Sequence, residues 1–187
     1  MLVPNANDEK AFGPYLQHYA IILDFNKDMK APTDEFIAQL IKLGYGPNPA
    51  PRTIEQIAAT PADLTAAKDG LDKMTQGIET RLAKVTADRA ALKQPDDLKT
   101  VYDNTFDKLV VAPTMAFENS TKALSNGIDA AVALSTYINA HRTKLVLSGM
   151  RIQAKDQELT PLMKAYQDAG ERFVVAQRQS DRVLGGN

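Results

Sequence analysis

An antiparallel bundle of helices is the fold this sequence predicts, and three observations predict it. Leu64, Leu71, Ile78, Val85 and Leu92 stand seven residues apart, with Ala67, Met74 and Leu82 filling the half-turns between them. Apolar residues at alternating steps of three and four make one stripe down a helix, which must be buried against other helices. Much of the apolar content is alanine and leucine and only 6% of residues are aromatic, a composition suited to helices packed closely side by side. The breaks between periodic stretches are mostly short, which makes successive helices antiparallel neighbours.

The elements follow in order. Asn7 and Asp8 are good caps, and Phe12, Tyr15, Tyr19, Ile22, Phe25 and Met29 then recur at helical spacing. Proline costs about 3 kcal/mol inside a helix but is tolerated in a first turn, so Gly13-Pro14 places the regular helix from Gly13 to about Lys30. Pro32-Thr33-Asp34 starts a shorter helix with Phe36, Leu40 and Ile41, which Gly44 is placed to end. Residues 44–52 hold two glycines and three prolines and read as a loop. Thr53 and Gln56 form a capping-box pair for a short helical turn.

Thr60-Pro61 opens the long helix, which runs to about Lys93. Gln94-Pro95 breaks it, and Asp96-Asp97 put negative charge where the next helix dipole favours it. That helix carries Leu98, Val101, Tyr102, Phe106 and Leu109, and Ala112-Pro113 should kink or interrupt it. A second segment resumes with Met115 and carries Leu124, Ile128, Ala131, Leu134, Ile138 and Leu145. The stretch 144–153 breaks the helical period, and Ser148-Gly149 makes it either a small β-hairpin or an irregular loop. A last helix starts between Asp156 and Pro161, carries Leu162, Tyr166, Phe173 and Val174, and ends at Gly185-Gly186. The sum is one helical-bundle domain over residues 1–187, with four long helices plus short ones.

Charge and composition exclude several classes. Basic and acidic residues nearly cancel, at a net charge of −1, and the cluster Arg178 to Arg182 is interrupted by Ser180 and Asp181, so no nucleic acid is expected. With no cysteine there is no disulfide, thiolate metal site or cysteine nucleophile. The longest apolar stretch, Tyr19 to Phe25, is a third of the ~20 residues that span a bilayer. Met1-Leu2-Val3-Pro4 lacks the basic-then-apolar order of a signal peptide.

No catalytic constellation emerges. The two histidines, His18 and His141, form no His-x-x-x-His or Glu-x-x-His pair, so no metal is expected and both read as structural or surface residues. Asp24 and Asp28 stand four apart on one face, yet Lys27 and Lys30 beside them mark a solvated surface rather than an acid–base pair. Ser148-Gly149 lacks the flanks of a nucleophile elbow, and Gly44 and Gly46 lie among prolines with no phosphate-loop Lys-Ser/Thr following. The aromatic set Phe12, Tyr15, Tyr19 and Phe25 could line a ligand cleft, though core packing explains it more simply. No catalytic residue, metal ligand or cofactor is assigned, and the chain is not expected to be an enzyme.

Two segments carry a resemblance. Phe12-Gly13-Pro14-Tyr15 followed by Tyr19-Ala20-Ile21 is one. The other is Ala91-Leu92-Lys93-Gln94-Pro95-Asp96-Asp97-Leu98-Lys99, followed by Val101-Tyr102-Asp103, Phe106 and Ala112-Pro113. Together with the stretch around Ser148-Gly149, they resemble the YiaF-like family of enterobacterial lipoprotein candidates, a domain of unknown function. The resemblance covers most of the chain except residues 44–58, and it brings no catalytic residues and no partner. It implies export across the inner membrane and a lipid-modified cysteine at the mature amino terminus. This sequence has neither the signal segment nor the cysteine, and trimming to a soluble domain would account for both.

The expectation is therefore a non-enzymatic helical domain of a bacterial envelope lipoprotein on the periplasmic face. It would meet the membrane only through a lipid anchor absent from this chain, and would act through an unidentified envelope protein partner or a second copy. The alternative is a bundle that binds a small molecule, as sensor or carrier, in a cleft opened by Pro113 and the aromatic stripe of the first helix. That alternative requires an apolar pocket of roughly 300–1,000 Å3 with a few convergent polar groups.

Overall fold

Two prolines set the breaks that shape this molecule. A proline at position i removes the N–H that would bond the carbonyl of residue i−4, and its ring crowds that carbonyl. Pro32 acts in this way on Asp28, where the first helix, α1 (Leu16–Asp28), stops. The chain turns through Met29 alone and continues as α2 (Lys30–Lys42), so Pro32 lies inside the first turn of α2 rather than at its start. Thr33 holds the junction, bonding the Met29 carbonyl through both its N–H (3.1 Å) and its Oγ1 (2.8 Å).

Pro113 acts in the same way further along the chain. α3 (Pro61–Ala91) buries Leu64, Ala67, Leu71, Met74, Ile78 and Val85, the stripe on which the bundle reading rests, while Leu92 falls just beyond its end. α4 (Asp96–Phe106) follows and runs directly into one π-helical turn, Asp107–Val111, and then α5 (Ala112–Ala140). The expected kink at Pro113 is thus a widened turn placed just ahead of the proline, and the helix is never broken. The Ala112 N–H reaches the Asp107 carbonyl, five residues back, and Thr114 Oγ1 donates to the Val110 carbonyl at 2.6 Å. After α5, a 3₁₀ turn (Arg142–Lys144) leads to β1 (Val146–Ser148) and β2 (Arg151–Gln153), and the chain closes with α6 (Leu159–Leu184).

The computed structural model describes residues 15–42, 56, 58, 61–93, 96–148, 151–153 and 157–184. The expected caps at Asn7-Asp8, the start at Gly13-Pro14, the loop 44–52, Thr53, Thr60, Gln94-Pro95, Gly149 and Gly185-Gly186 lie outside those residues. The fold is an antiparallel helical bundle, and of the two readings of the stretch 144–153 the β one is favoured by the antiparallel pairing of β1 with β2, in which Leu147 pairs with Ile152 and Ser148 with Arg151.

α5 is the central element, packing most extensively against α6 and then α3. Its partners run antiparallel to it. Lys68 lies within 3.6 Å of Asp129, Asp72 accepts from Ser125 at 2.8 Å, and Thr75 meets Thr121 at 3.1 Å, so one chain climbs as the other descends. Ser120 likewise approaches the Ala176 carbonyl of α6 at 3.3 Å. Small hydroxyl residues at these levels let the helix backbones come close while keeping their polar atoms bonded.

Three apolar clusters fill the space. Leu71, Ile78, Leu124 and Phe173 join Phe36 and Phe117 in the middle. Leu134, Ile138, Leu145 and Leu159 close the end nearest the hairpin. Ile22, Phe25, Val85, Phe106 and Val110 hold α1 at the other end. Each full burial of such a side chain contributes about 1.5–3 kcal/mol.

Five expected core residues are not core. Ile41, Val101 and Met115 are more than half exposed, and Leu109 and Val174 nearly so. The π-turn explains Leu109, which lies inside it and is carried off the α4 stripe, whereas Val101 stands about 140° around α4 from buried Phe106 and Met115 about 180° around α5 from buried Leu124. Val174 follows buried Phe173 around the helix and faces away from α5. Leu145 is buried, but beyond the end of α5, after the 3₁₀ turn.

Candidate functional site: an apolar cleft between two proline breaks

The α1–α2 junction and the π-turn face each other, and a cleft of about 450 Å3 lies between them. Phe25 and Met29 form one wall, and Leu109, Pro113 and Phe117 form the other. Thr33 and Thr114 also line it, but each hydroxyl donates to the carbonyl four residues before it. Their hydrogens are therefore spent on backbone, and the floor offers a ligand mostly apolar surface. The remaining polar groups are Asn26, Lys30 and Asp34, all exposed and four residues apart on one side of the cleft. Lys30 and Asp34 form an ion pair there.

A second cluster lies beyond Phe25, where α1 meets α3 and α4. His18 is buried at 7% exposure, with its ring stacked on Tyr102 at 4.0 Å and nearly parallel to it. Tyr15 tilts against the same Tyr102 ring at 5.2 Å. Arg89 lies over the Phe106 ring at 4.7 Å and pairs with Asp103, which also meets Lys99 at 3.1 Å. His18 Nε2 has no hydrogen-bond partner among the described residues. Burial, and then the positive field of Arg89, hold the His18 ring below its ordinary pKa of 6.5, so it stays neutral.

The other sequence-selected residues are dispersed. Asp24 and Asp28 are exposed and border a shallow groove with Arg81, Lys84 and Asp88. His141 caps α5, its ring stacked on Tyr137 at 4.2 Å and its Nδ1 3.0 Å from the Tyr137 carbonyl. Asp96 is exposed at the start of α4. Among the described residues no group of three or more His, Asp or Glu could hold a metal ion. Of the aromatic set, Phe25 lines the cleft, Tyr15 and Tyr19 do not, and Phe12 lies outside the described residues. Met29, Lys30, Asp34, Leu109 and Phe117 were not legible as a site, although the two prolines that bring them together were.

Chemically, this arrangement can hold an apolar body with a polar end at one rim. It presents no nucleophile–base pair. No helix among the described residues is long and apolar enough to cross a membrane.

The chain belongs to the family described as "Protein of unknown function (DUF3053)", which matches residues 2–180. Among curated proteins it is similar to "Uncharacterized protein YiaF" of Escherichia coli strain K12, of E. coli O157:H7 and of Shigella flexneri, at 25% identity over 154 residues in each case. The match takes in 81% of this chain, which spans 64% of the length of those relatives. No solved structure matches it.

Proposed function

We propose that this chain is a non-enzymatic binding domain that holds an apolar small molecule in the cleft between the α1–α2 junction and the π-turn. One observation carries this reading. The cleft, at about 450 Å3, falls inside the ~300–1,000 Å3 range of ligand sites, with an apolar floor and its exposed polar side chains gathered at one rim. An uncharged naphthalene dye tests it by fluorescence. Wild-type chain should saturate at one dye per molecule, and Leu109→Glu, at a wall position 45% exposed, should weaken binding about tenfold or more. Equal binding by both proteins would contradict the reading.

In this proposal the domain works on the periplasmic face of the bacterial envelope, tethered by a lipid anchor. What supports that setting is the likeness carried by Phe12 to Ile21 and Ala91 to Pro113. Fractionation of cells expressing the natural full-length protein tests it, with recovery in the cytosol as the contrary result.

A second reading, action through contact with another protein or a second copy, is favoured by Ile37 and Ile41. They are 48% and 56% exposed and one turn apart on α2. Sedimentation tests the second copy: self-association should be lost in Ile41→Lys, and a wild-type chain that is monomeric at every concentration would rule it out.

A further inference from the structure

The rim of the cleft narrows the ligand class. Asn26, Lys30 and Asp34 follow one another at four-residue steps, so a single edge offers an amide, a cation and a carboxylate. The opposite edge, Leu109 and Pro113, is apolar, and between them lie Phe25, Met29 and Phe117. A molecule that satisfies both edges is polar at one end only.

The charges at the polar edge select further. Lys30 and Asp34 are 69% and 60% exposed, and an ion pair so well solvated is weakly held and can exchange partners. An anionic head could take Lys30, but it would sit beside the Asp34 carboxylate at like charge. A head with only a positive charge would meet the opposite penalty at Lys30. A head bearing both charges keeps Lys30 and Asp34 each paired. The apolar part needs no hydrogen bond, because the Thr33 and Thr114 hydroxyls already donate to the Met29 and Val110 carbonyls.

We propose that the cleft binds a zwitterionic single-chain amphiphile, its alkyl chain laid across Phe25, Met29, Leu109 and Phe117 and its head between Lys30 and Asp34. This rests on the reading of the cleft as a ligand site. The amphiphile binds as a monomer, one to each chain.

Calorimetric titration of the whole chain with myristoyl lysophosphatidylethanolamine, below its micelle concentration, tests the proposal. Myristate serves as the purely anionic comparison, and the uncharged naphthalene dye reports on the cleft itself. The wild-type chain should bind the lysophospholipid one to one and about tenfold more tightly than myristate. Asp34→Lys, an exposed change that spares the core, should reverse that preference, read as the ratio of the two affinities in one protein. Equal affinity for the two amphiphiles, an unchanged preference in Asp34→Lys, or uptake only above the micelle concentration would overturn the proposal. Saturable dye binding in those cases would leave the cleft standing as a ligand site with another class of ligand. Failure of the dye as well would remove both.

Discussion

His18 and Ser135 show what single polar side chains do inside this bundle. His18 has its folded pKa held below the ordinary 6.5, so the unfolded chain takes up the proton first as pH falls. Stability is therefore full above about pH 6.5 and declines as the pH drops through that value toward the folded one. Urea midpoints across this range should show the decline in wild type and lose most of it in His18→Phe. A second window belongs to Asp72, which its bonds from Lys68 and then Ser125 hold below the ordinary 3.8, so its contribution is present above that value and is lost below it. Ser135 is fully buried, and its hydroxyl has no partner among the described residues. A buried unpaired hydroxyl costs about 1–3 kcal/mol, so Ser135→Ala should raise stability by about 1 kcal/mol in urea unfolding. A loss of that size would mean that the hydroxyl is bonded. The sequence shows His18 beside the apolar stripe of its helix. It cannot show the stacking on Tyr102, because that contact depends on how α1 crosses α4.

At the scale of elements, the π-turn decides which faces are buried. Phe106 and Val110 point into the cluster with Ile22 and Val85, whereas Phe117 points into the cluster with Phe36 and Leu71. A single straight helix would put residues 106 and 117 within about 20° of one line, since eleven residues make three turns and little more. The wider turn separates the two faces. Leu109 reads as core in the sequence because it follows Phe106 by three residues, a step that keeps it on the stripe only where the α-helical period holds, and the π-turn changes that period there. The stripe from Leu64 to Val85 has no such interruption and is buried along its length. Replacing Pro113 separates packing from backbone effects. Pro113→Ala regains a hydrogen bond of about 0.5–1.5 kcal/mol but gives the unfolded chain about 0.4–1 kcal/mol of extra freedom, so its stability should stay within about 1 kcal/mol of wild type. Dye affinity should nevertheless fall, because Pro113 is part of the cleft wall. A loss of several kcal/mol in thermal or urea unfolding would instead make the ring part of the packed core.

For the whole molecule, α3, α5 and α6 form the packed body, and α1 and α2 lie against it with far less shared surface. The cleft sits where that lighter arm meets the π-turn. Its position follows from two prolines, Pro32 and Pro113, that are visible in the sequence, and Phe25 was already a candidate for its lining. Its remaining residues come from α2 and from both sides of the π-turn, a juxtaposition set by tertiary packing and by no local pattern. An apolar cleft of this size exposes surface that water covers at a cost, and a ligand that fills it should both bind and stabilise the chain. Native mass spectrometry of freshly purified, never-refolded chain tests this most directly, with Leu109→Glu prepared in parallel. The account predicts a species heavier than the polypeptide by one small molecule in wild type, absent or much reduced in Leu109→Glu. A bare polypeptide mass in both, unchanged after incubation with the naphthalene dye, would contradict it.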